Sequence, residues 1–227
     1  MNAGIQSYFQ WSQIDWLNIR ISTTETIILT IGTVILVAII GFLLGLVLYQ
    51  TKSSTRLSIK IFRAVISFFV NVFRSIPFIV LIVLLIPFTK VLVGTIIGPK
   101  AALPALVLAA APFYARLVEL GFNEVDTGAL EMARSLGATN KQIIWRVLLP
   151  ESLPALVSGL TVTAISIIGY TAMAGVIGAG GLGNLAYQDG FEAGQNTVTL
   201  VATLIILVIV FAFQFIGDFV VKKVDHR

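Results

Sequence analysis

Apolar and polar positions divide the chain into long charge-free runs separated by short basic segments. The first run, Ile27–Tyr49, reads IILTIGTVILVAIIGFLLGLVLY and holds no charge. As a helix rising about 1.5 Å per residue it reaches roughly 35 Å, enough to cross the hydrocarbon core of a bilayer. A secretory leader would be shorter, with basic residues before it and a small-residue cleavage site after it. Here Glu25 precedes the run and Lys52, Arg56, Lys60 and Arg63 follow it, so it reads as a permanent span. Ala155–Ile177 is also charge-free and unusually rich in Gly, Ala, Ser and Thr, while Thr197–Ile216 is oilier and fits simple lipid exposure.

The stretch Ile61–Leu120 is punctuated by Arg63, Arg74, Lys90, Lys100 and Arg116, and by Pro77, Pro87, Pro99, Pro104 and Pro112. Its length holds two spans and a short connection, placed near 66–89 and 99–116. The pattern therefore predicts an all-α polytopic membrane protein. Its five spans lie at about 27–49, 66–89, 99–116, 155–177 and 197–216, between an extracytoplasmic segment 1–25 and a tail 222–227.

Composition agrees with this reading. Apolar residues make up 57% and charged residues 11% of the 227 positions, against about 25% charged in ordinary globular chains. The mean hydropathy is +0.98, which leaves too little polar surface to coat a water-soluble body. The absence of cysteine excludes disulfides, thiolate metal sites and cysteine nucleophiles. The single histidine is His226, next to the end of the chain, which leaves no histidine for a triad or metal site inside the bundle. No catalytic, metal or cofactor-binding residues are predicted.

The pI near 9.5 invites a nucleic-acid reading until the basic residues are placed. Segments 50–63 and 113–153 and the tail carry eleven of them, whereas the opposite side has Arg20, Lys90 and Lys100, with Arg74 unassigned. By the positive-inside rule the N-terminus is outside and the C-terminus cytoplasmic. The basicity is a topology signal, and no nucleic acid is expected.

One connection is long enough to fold by itself, Leu117–Leu153. A helix is predicted from about Gly128 to Leu136, with Gly137 as the left-handed residue that ends it. Thr139 and Gln142 have capping-box spacing and open a second helix, whose Ile143, Ile144, Val147 and Leu148 form an apolar stripe. Pro150 and Pro154 delimit its exit into the next span. A tethered pair of helices with only Lys141 and Arg146 on the second is a poor DNA reader. Physics alone leaves two readings open, an amphipathic connector beneath the bundle or a protein-docking surface.

Within this loop Glu131, Ala133, Gly137, Val147, Leu149 and Pro150 have the spacing E-x-A-x3-G-x9-V-x-L-P. This resembles the EAA motif of bacterial ABC-importer permeases, EAA-x3-G-x9-I-x-LP, with apolar departures at Met132 and Val147. The segments Phe73–Thr95, Ala110–Glu119 and Gly169–Gly190 closely resemble the permease of methionine-uptake importers. The resemblance implies a permease domain over 26–221 in the bacterial inner membrane, working as a homodimer. It implies two cytoplasmic ABC ATPases beneath that dimer, an extracytoplasmic binding protein and methionine as cargo. It further implies that Glu131, Ala133, Gly137, Ala138, Thr139, Leu149 and Pro150 couple to the ATPase. Ser166, Tyr170 and Met173 are expected on the translocation pathway, with Met173 at its outer gate.

Gly178-Ala-Gly-Gly-Leu-Gly183 matches G-x-G-x-x-G literally. A dinucleotide fingerprint, however, needs a strand before it and an acidic residue about 20 positions later. A membrane helix precedes this one, which leaves a flexible hinge or a tight outer turn. No G-x-x-x-x-G-K-[ST] occurs, so the chain does not bind ATP by that route. Arg74, beside Ser75 and Pro77, reads as an interfacial anchor or an inter-helix partner in preference to a pathway charge. Thr161, Thr163, Ser166 and Thr171 suit close helix packing, a pathway lining, or both. The rival to an ATP-driven importer is an ion-coupled carrier acting alone, but no internal repeat or central charge in the clear spans supports it.

Overall fold

The computed structural model describes residues 4–225; Met1–Ala3, His226 and Arg227 lie outside the described residues. The described chain is helical throughout its long elements. Four helical segments, Trp16–Thr51, Pro99–Asn123, Asn140–Ala179 and Asn196–Val224, are long and apolar enough to cross a membrane. Leu57–Ser75 and Phe78–Leu84 together make a fifth, broken span, bent by 109°.

The first helix, α1 (Trp16–Thr51), is longer than its charge-free run. Asp15 caps it, its carboxylate accepting from the Leu17 and Asn18 amides at 3.0 and 3.2 Å. Much of the polar sequence before Ile27 is thus helical, because the cap lies twelve residues upstream of the oily run. Preceding it, two short 3₁₀ turns, Ile5–Phe9 and Trp11–Gln13, are tied to the last long helix. There the Thr197 hydroxyl accepts from the Gln10 amide at 2.9 Å and donates to the Ser7 carbonyl at 3.1 Å.

The second predicted span is not one helix. α2 (Leu57–Ser75) stops at Ile76, α3 (Phe78–Leu84) begins after Pro77, and α4 (Ile86–Val93) follows another break at Leu85. Ile76 is extended, with φ −81° and ψ 124°, as the steric demand of a following proline requires. α5 (Pro99–Asn123) carries Pro104 and Pro112 within it and is the most buried span of the bundle.

α1 and α5 make the most extensive helix–helix contact, and glycine permits its close approach. A Cβ built on Gly41 would stand 2.8 Å from a Tyr114 ring carbon and 2.9 Å from the Ala111 carbonyl oxygen. On Gly45 it would stand 2.6 Å from the Ala115 carbonyl oxygen and from the Val118 side chain. Gly41 and Gly45 form a G-x-x-x-G pair, the small-residue spacing that lets membrane helices approach closely. The threonine and serine hydroxyls of the buried faces mostly turn back on their own helices, as Thr33 does to the Leu29 carbonyl at 2.7 Å and Thr163 to Gly159 at 2.7 Å. Such back-bonding satisfies a hydroxyl in lipid without a partner helix.

The loop beneath the bundle contains α6 (Thr127–Ser135), capped by Asp126, whose carboxylate accepts from the Gly128 amide at 3.0 Å. Gly137 is left-handed, with φ +80°. Its amide bonds the Arg134 carbonyl, and the Ala138 amide the Ala133 carbonyl, at 2.9 and 3.1 Å, a Schellman closure. Thr139 and Gln142 form the capping box that opens α7 (Asn140–Ile143).

Pro150 and Pro154 do not end this helix. α7 passes through a π turn, Ile144–Leu148, into α8 (Leu149–Ala174), so one helical rod joins the loop to the fourth span. The wide turn includes the Arg146 carbonyl that Pro150, lacking an N–H, cannot bond, while Pro154 lies within the first two turns of α8. Beyond α8 come a second π turn, Gly175–Ala179, then α9 (Gly181–Leu185), a third π segment, Ala186–Glu192, and α10 (Asn196–Val224).

Candidate functional site

Two regions of the α7–α8 rod draw together the sequence-predicted residues. At the loop end, Leu130 and Ile143 are buried in a cluster with Phe122, Val125 and Leu148, which clamps the loop to the end of α5. Ala133, Ala138 and Leu149 pack half-buried against the same cluster, while Glu131, Gly137, Thr139 and Pro150 are exposed. The motif thus divides into Ala133, Ala138 and Leu149, which seat the loop, and Glu131, Gly137, Thr139 and Pro150, which face away from it. Met132, Leu136 and Trp145 stand 63%, 83% and 60% exposed on this loop. Sequence reasoning missed them as a set; their signal is an apolar residue at each position where an amphipathic connector would place a polar one.

Along α8 the predicted pathway residues fall on two faces. Ser158, Val162, Gly169 and Met173 are exposed and follow one another at helical spacing, with half-buried Ser166 completing the stripe. Ser166 donates to the Val162 carbonyl at 3.0 Å, and nothing lies within 4 Å of a Cβ built on Gly169. Met173 is 48% exposed near the C-terminal end of α8. Tyr170 turns aside from this stripe, stacking on Phe78 of α3 with ring centroids 4.8 Å apart and planes 14° apart. The structure brings Met173, Ser166 and Gly169 onto one open face and sets Tyr170 behind it, within the protomer.

The glycine-rich segment after α8 is a packed reversal. Gly178, Gly180 and Gly181 all have positive φ, and a Cβ on Gly183 would stand 2.3 Å from the Ala172 carbonyl oxygen. The amides that would cradle a phosphate are already bonded. Glu25 accepts from Gly181 and the Thr26 hydroxyl from Leu182, at 2.8 and 2.9 Å. Of the hinge and the tight turn, the geometry is that of the turn.

At the loop end of the bundle, Glu119 of α5 is 2% exposed between two arginines. Its Oε1 accepts from Arg63 of α2 at 3.1 Å and its Oε2 from Arg116 at 2.5 Å. A carboxylate so buried is tolerable only when paired and hydrogen-bonded. The pairing fixes where α2 meets α5. Arg74 stands exposed at the end of α2 and makes no ion pair among the described residues, which fits a headgroup anchor.

The relatives of this chain match it over most of its length. It is 57% identical over 180 residues to the methionine import system permease protein MetP of Bacillus subtilis (strain 168), covering 79% of this chain and 81% of that one. It is 40% identical over 212 residues to the probable D-methionine transport system permease protein MetI of Pasteurella multocida (strain Pm70), covering 93% and 98%. Among solved structures, a chain of the MetNI methionine ABC transporter in inward-facing conformations superposes with a TM-score of 0.88 at 41% identity, covering 92% of this chain and 97% of that chain. The family model of the binding-protein-dependent transport system inner membrane component matches residues 41–227, and the chain belongs to that family.

Proposed function

We propose that this chain is the permease subunit of an ATP-driven methionine importer, non-catalytic itself and coupled to cytoplasmic ATPases that hydrolyse ATP. Two copies would form the pathway, two ATPases would sit beneath them, and an extracytoplasmic binding protein would deliver methionine. The substrate rests on the likeness to MetP and MetI. The mechanism rests on one structural observation, the unbroken rod from Asn140 to Ala174 that joins the exposed loop to the open stripe of α8.

A displacement applied at Thr139 or Trp145 has no flexible joint in which to dissipate before it reaches Ser166 and Met173. Close-packed helices transmit such displacements as rigid bodies. Glu131, Ala133, Gly137, Ala138, Thr139, Leu149 and Pro150 form and seat the coupling end in this reading. Ser166 and Met173 face the pathway, and Tyr170, stacked on Phe78, holds the gate helix against α3.

The orientation places the N-terminus outside and the loop in the cytoplasm, supported by the eleven basic residues gathered at that end. Uptake of labelled methionine into liposomes holding the permease, its ATPase and the binding protein tests the function. It should require ATP inside and exceed uptake of other amino acids. Uptake without the ATPase, driven by an ion gradient, would overturn the proposal in favour of a carrier. For orientation, a cysteine in place of exposed Ala193 should react with an impermeant thiol reagent in intact cells, and one in place of Lys141 should not.

A further inference from the structure

Beside the loop lies a groove of about 590 Å³, walled by the end of α1, the end of α5, and α6 with α7. Lys52 and Arg134 line it together with Asn123 and Asn140, over an apolar floor that includes Leu130 and Ile143. No carboxylate is among the lining residues. Lys52 gives one hydrogen bond to the Asn123 side-chain oxygen at 2.7 Å, which leaves two of its three ammonium donors for another acceptor. Arg134 makes no ion pair among the described residues. Nearby, Arg63 and Arg116 share the buried carboxylate of Glu119, so the chain neutralises one pair of cations at this end and leaves the other facing a cavity.

We propose that this groove binds a phosphate group, carried by an anionic phospholipid of the inner leaflet or by a soluble phosphate. Two cations and the Asn140 side-chain amide around one cavity match the oxygens of a phosphate, while Asn123, which accepts from Lys52 and donates to the Glu119 carbonyl at 2.6 Å, positions the lysine. The cavity exceeds a bare phosphate in size. The apolar floor suits the glycerol and first methylenes that a lipid would bring. Basic pockets at the cytoplasmic ends of membrane helices recognise lipid headgroups in this way. Because its walls belong to α1 on one side and to the loop on the other, an occupant would pin the coupling loop to the first span.

The inference rests on the cytoplasmic placement of the loop, yet its test depends on neither orientation nor transport. The permease–ATPase complex is purified in detergent, equilibrated with phosphatidylglycerol or phosphatidylcholine, and its retained lipids are counted by native mass spectrometry. The wild type should retain phosphatidylglycerol preferentially. The Lys52→Gln/Arg134→Gln pair should lower that preference roughly tenfold or more. Two controls accompany it: Lys222→Gln/Lys223→Gln, which makes the same change in net charge elsewhere, and Lys52→Arg/Arg134→Lys, which keeps both charges. Both should retain it.

Parallel arms contain inorganic phosphate or glycerol 3-phosphate. Displacement of the lipid assigns the site to a soluble phosphate, and resistance to displacement assigns it to the lipid. The proposal is overturned if neither lipid nor phosphate is held, if the first double variant behaves as wild type, or if the tail variant loses as much. A transport failure with lipid preference intact would count against the importer reading alone.

Discussion

Glu25 of α1 accepts a hydrogen bond from the Gly181 amide at 2.8 Å, joining residues 156 positions apart. The neighbouring Thr26 hydroxyl does the same for Leu182 at 2.9 Å. The first span thereby holds the glycine-rich turn that follows the fourth. A Cβ on Gly180 would stand 2.8 Å from the same carboxylate oxygen, so the turn is both bonded to and pressed against α1.

Glu25→Ala should therefore destabilise the C-terminal end of α8 and the turn that follows it. A hydrogen bond to a charged group contributes about 1.5–3 kcal/mol, and Glu25 is half-buried, so the lower part of that range applies. Glu25→Gln keeps an acceptor oxygen and should recover most of the loss. Thermal melting of the purified permease measures both; an unchanged midpoint for the alanine variant would show that the turn holds itself.

The α1–α5 contact gives a second prediction. Gly45→Val should prevent the close approach of the two helices, because even a Cβ would stand 2.6 Å from the Ala115 carbonyl oxygen. Overpacking of a close-packed interface costs typically 1–3 kcal/mol, more where backbone is the obstacle. Gly32→Val on the same helix has nothing within 4 Å of its Cβ and should be nearly silent. The yield of monodisperse permease separates the two, and equal yields would remove this contact from the account of stability.

Much of this was legible in the sequence because lipid imposes simple rules. Charge-free runs mark three of the spans, and the left-handed Gly137 and the Thr139/Gln142 capping box of the loop follow from local chemistry that burial does not override. Hydropathy locates a span near 66–89 but averages across Pro77, so the 109° bend there is set by the extended backbone at Ile76 and is not legible from the apolar pattern. Pro150 and Pro154 do not mark the exit the sequence suggests: Pro150 follows a π turn and Pro154 is carried within α8, so the helix runs on into the span. The Gly41/Gly45 pair was visible as G-x-x-x-G and needed only the small-residue rule to be found. The Glu25–Gly181 and Arg63–Glu119 links were not legible, since their partners are far apart in the chain and only the tertiary fold sets them together.

Gly137 supplies a third prediction. Its φ of +80° closes the loop, yet nothing lies within 4 Å of a Cβ placed there. The effect of substitution is therefore conformational and not a clash. Gly137→Asn should be mild, since asparagine tolerates the left-handed region, whereas Gly137→Val should cost on the order of 1–2 kcal/mol locally. In both variants the span helices should still insert. Co-purification of the ATPase and substrate-stimulated hydrolysis measure the result; full coupling in the valine variant would separate the loop's shape from its role.

Met173 carries the last prediction. It stands 48% exposed on the stripe that includes Val162, Ser166 and Gly169, while the stacked pair Tyr170 and Phe78 backs the same end of α8 from inside the protomer. Two such stripes, brought together in a dimer, would place their Met173 side chains at the outer end of a mildly polar seam. A thioether chain with three rotatable bonds can seal a closing gap and repack when it opens. Met173→Ala shortens the seal and should raise basal leak or uncouple ATP hydrolysis from delivery. Met173→Leu keeps the volume and should change little. Methionine flux and basal ATPase rate in liposomes report both variants. Met173→Cys in this cysteine-free chain should form a cross-link between protomers under oxidation, because a disulfide needs Cβ atoms about 3.5–4.5 Å apart. An alanine variant that transports and stays sealed as wild type, with cysteines that never cross-link, would mean the gate lies elsewhere and the stripe serves packing alone.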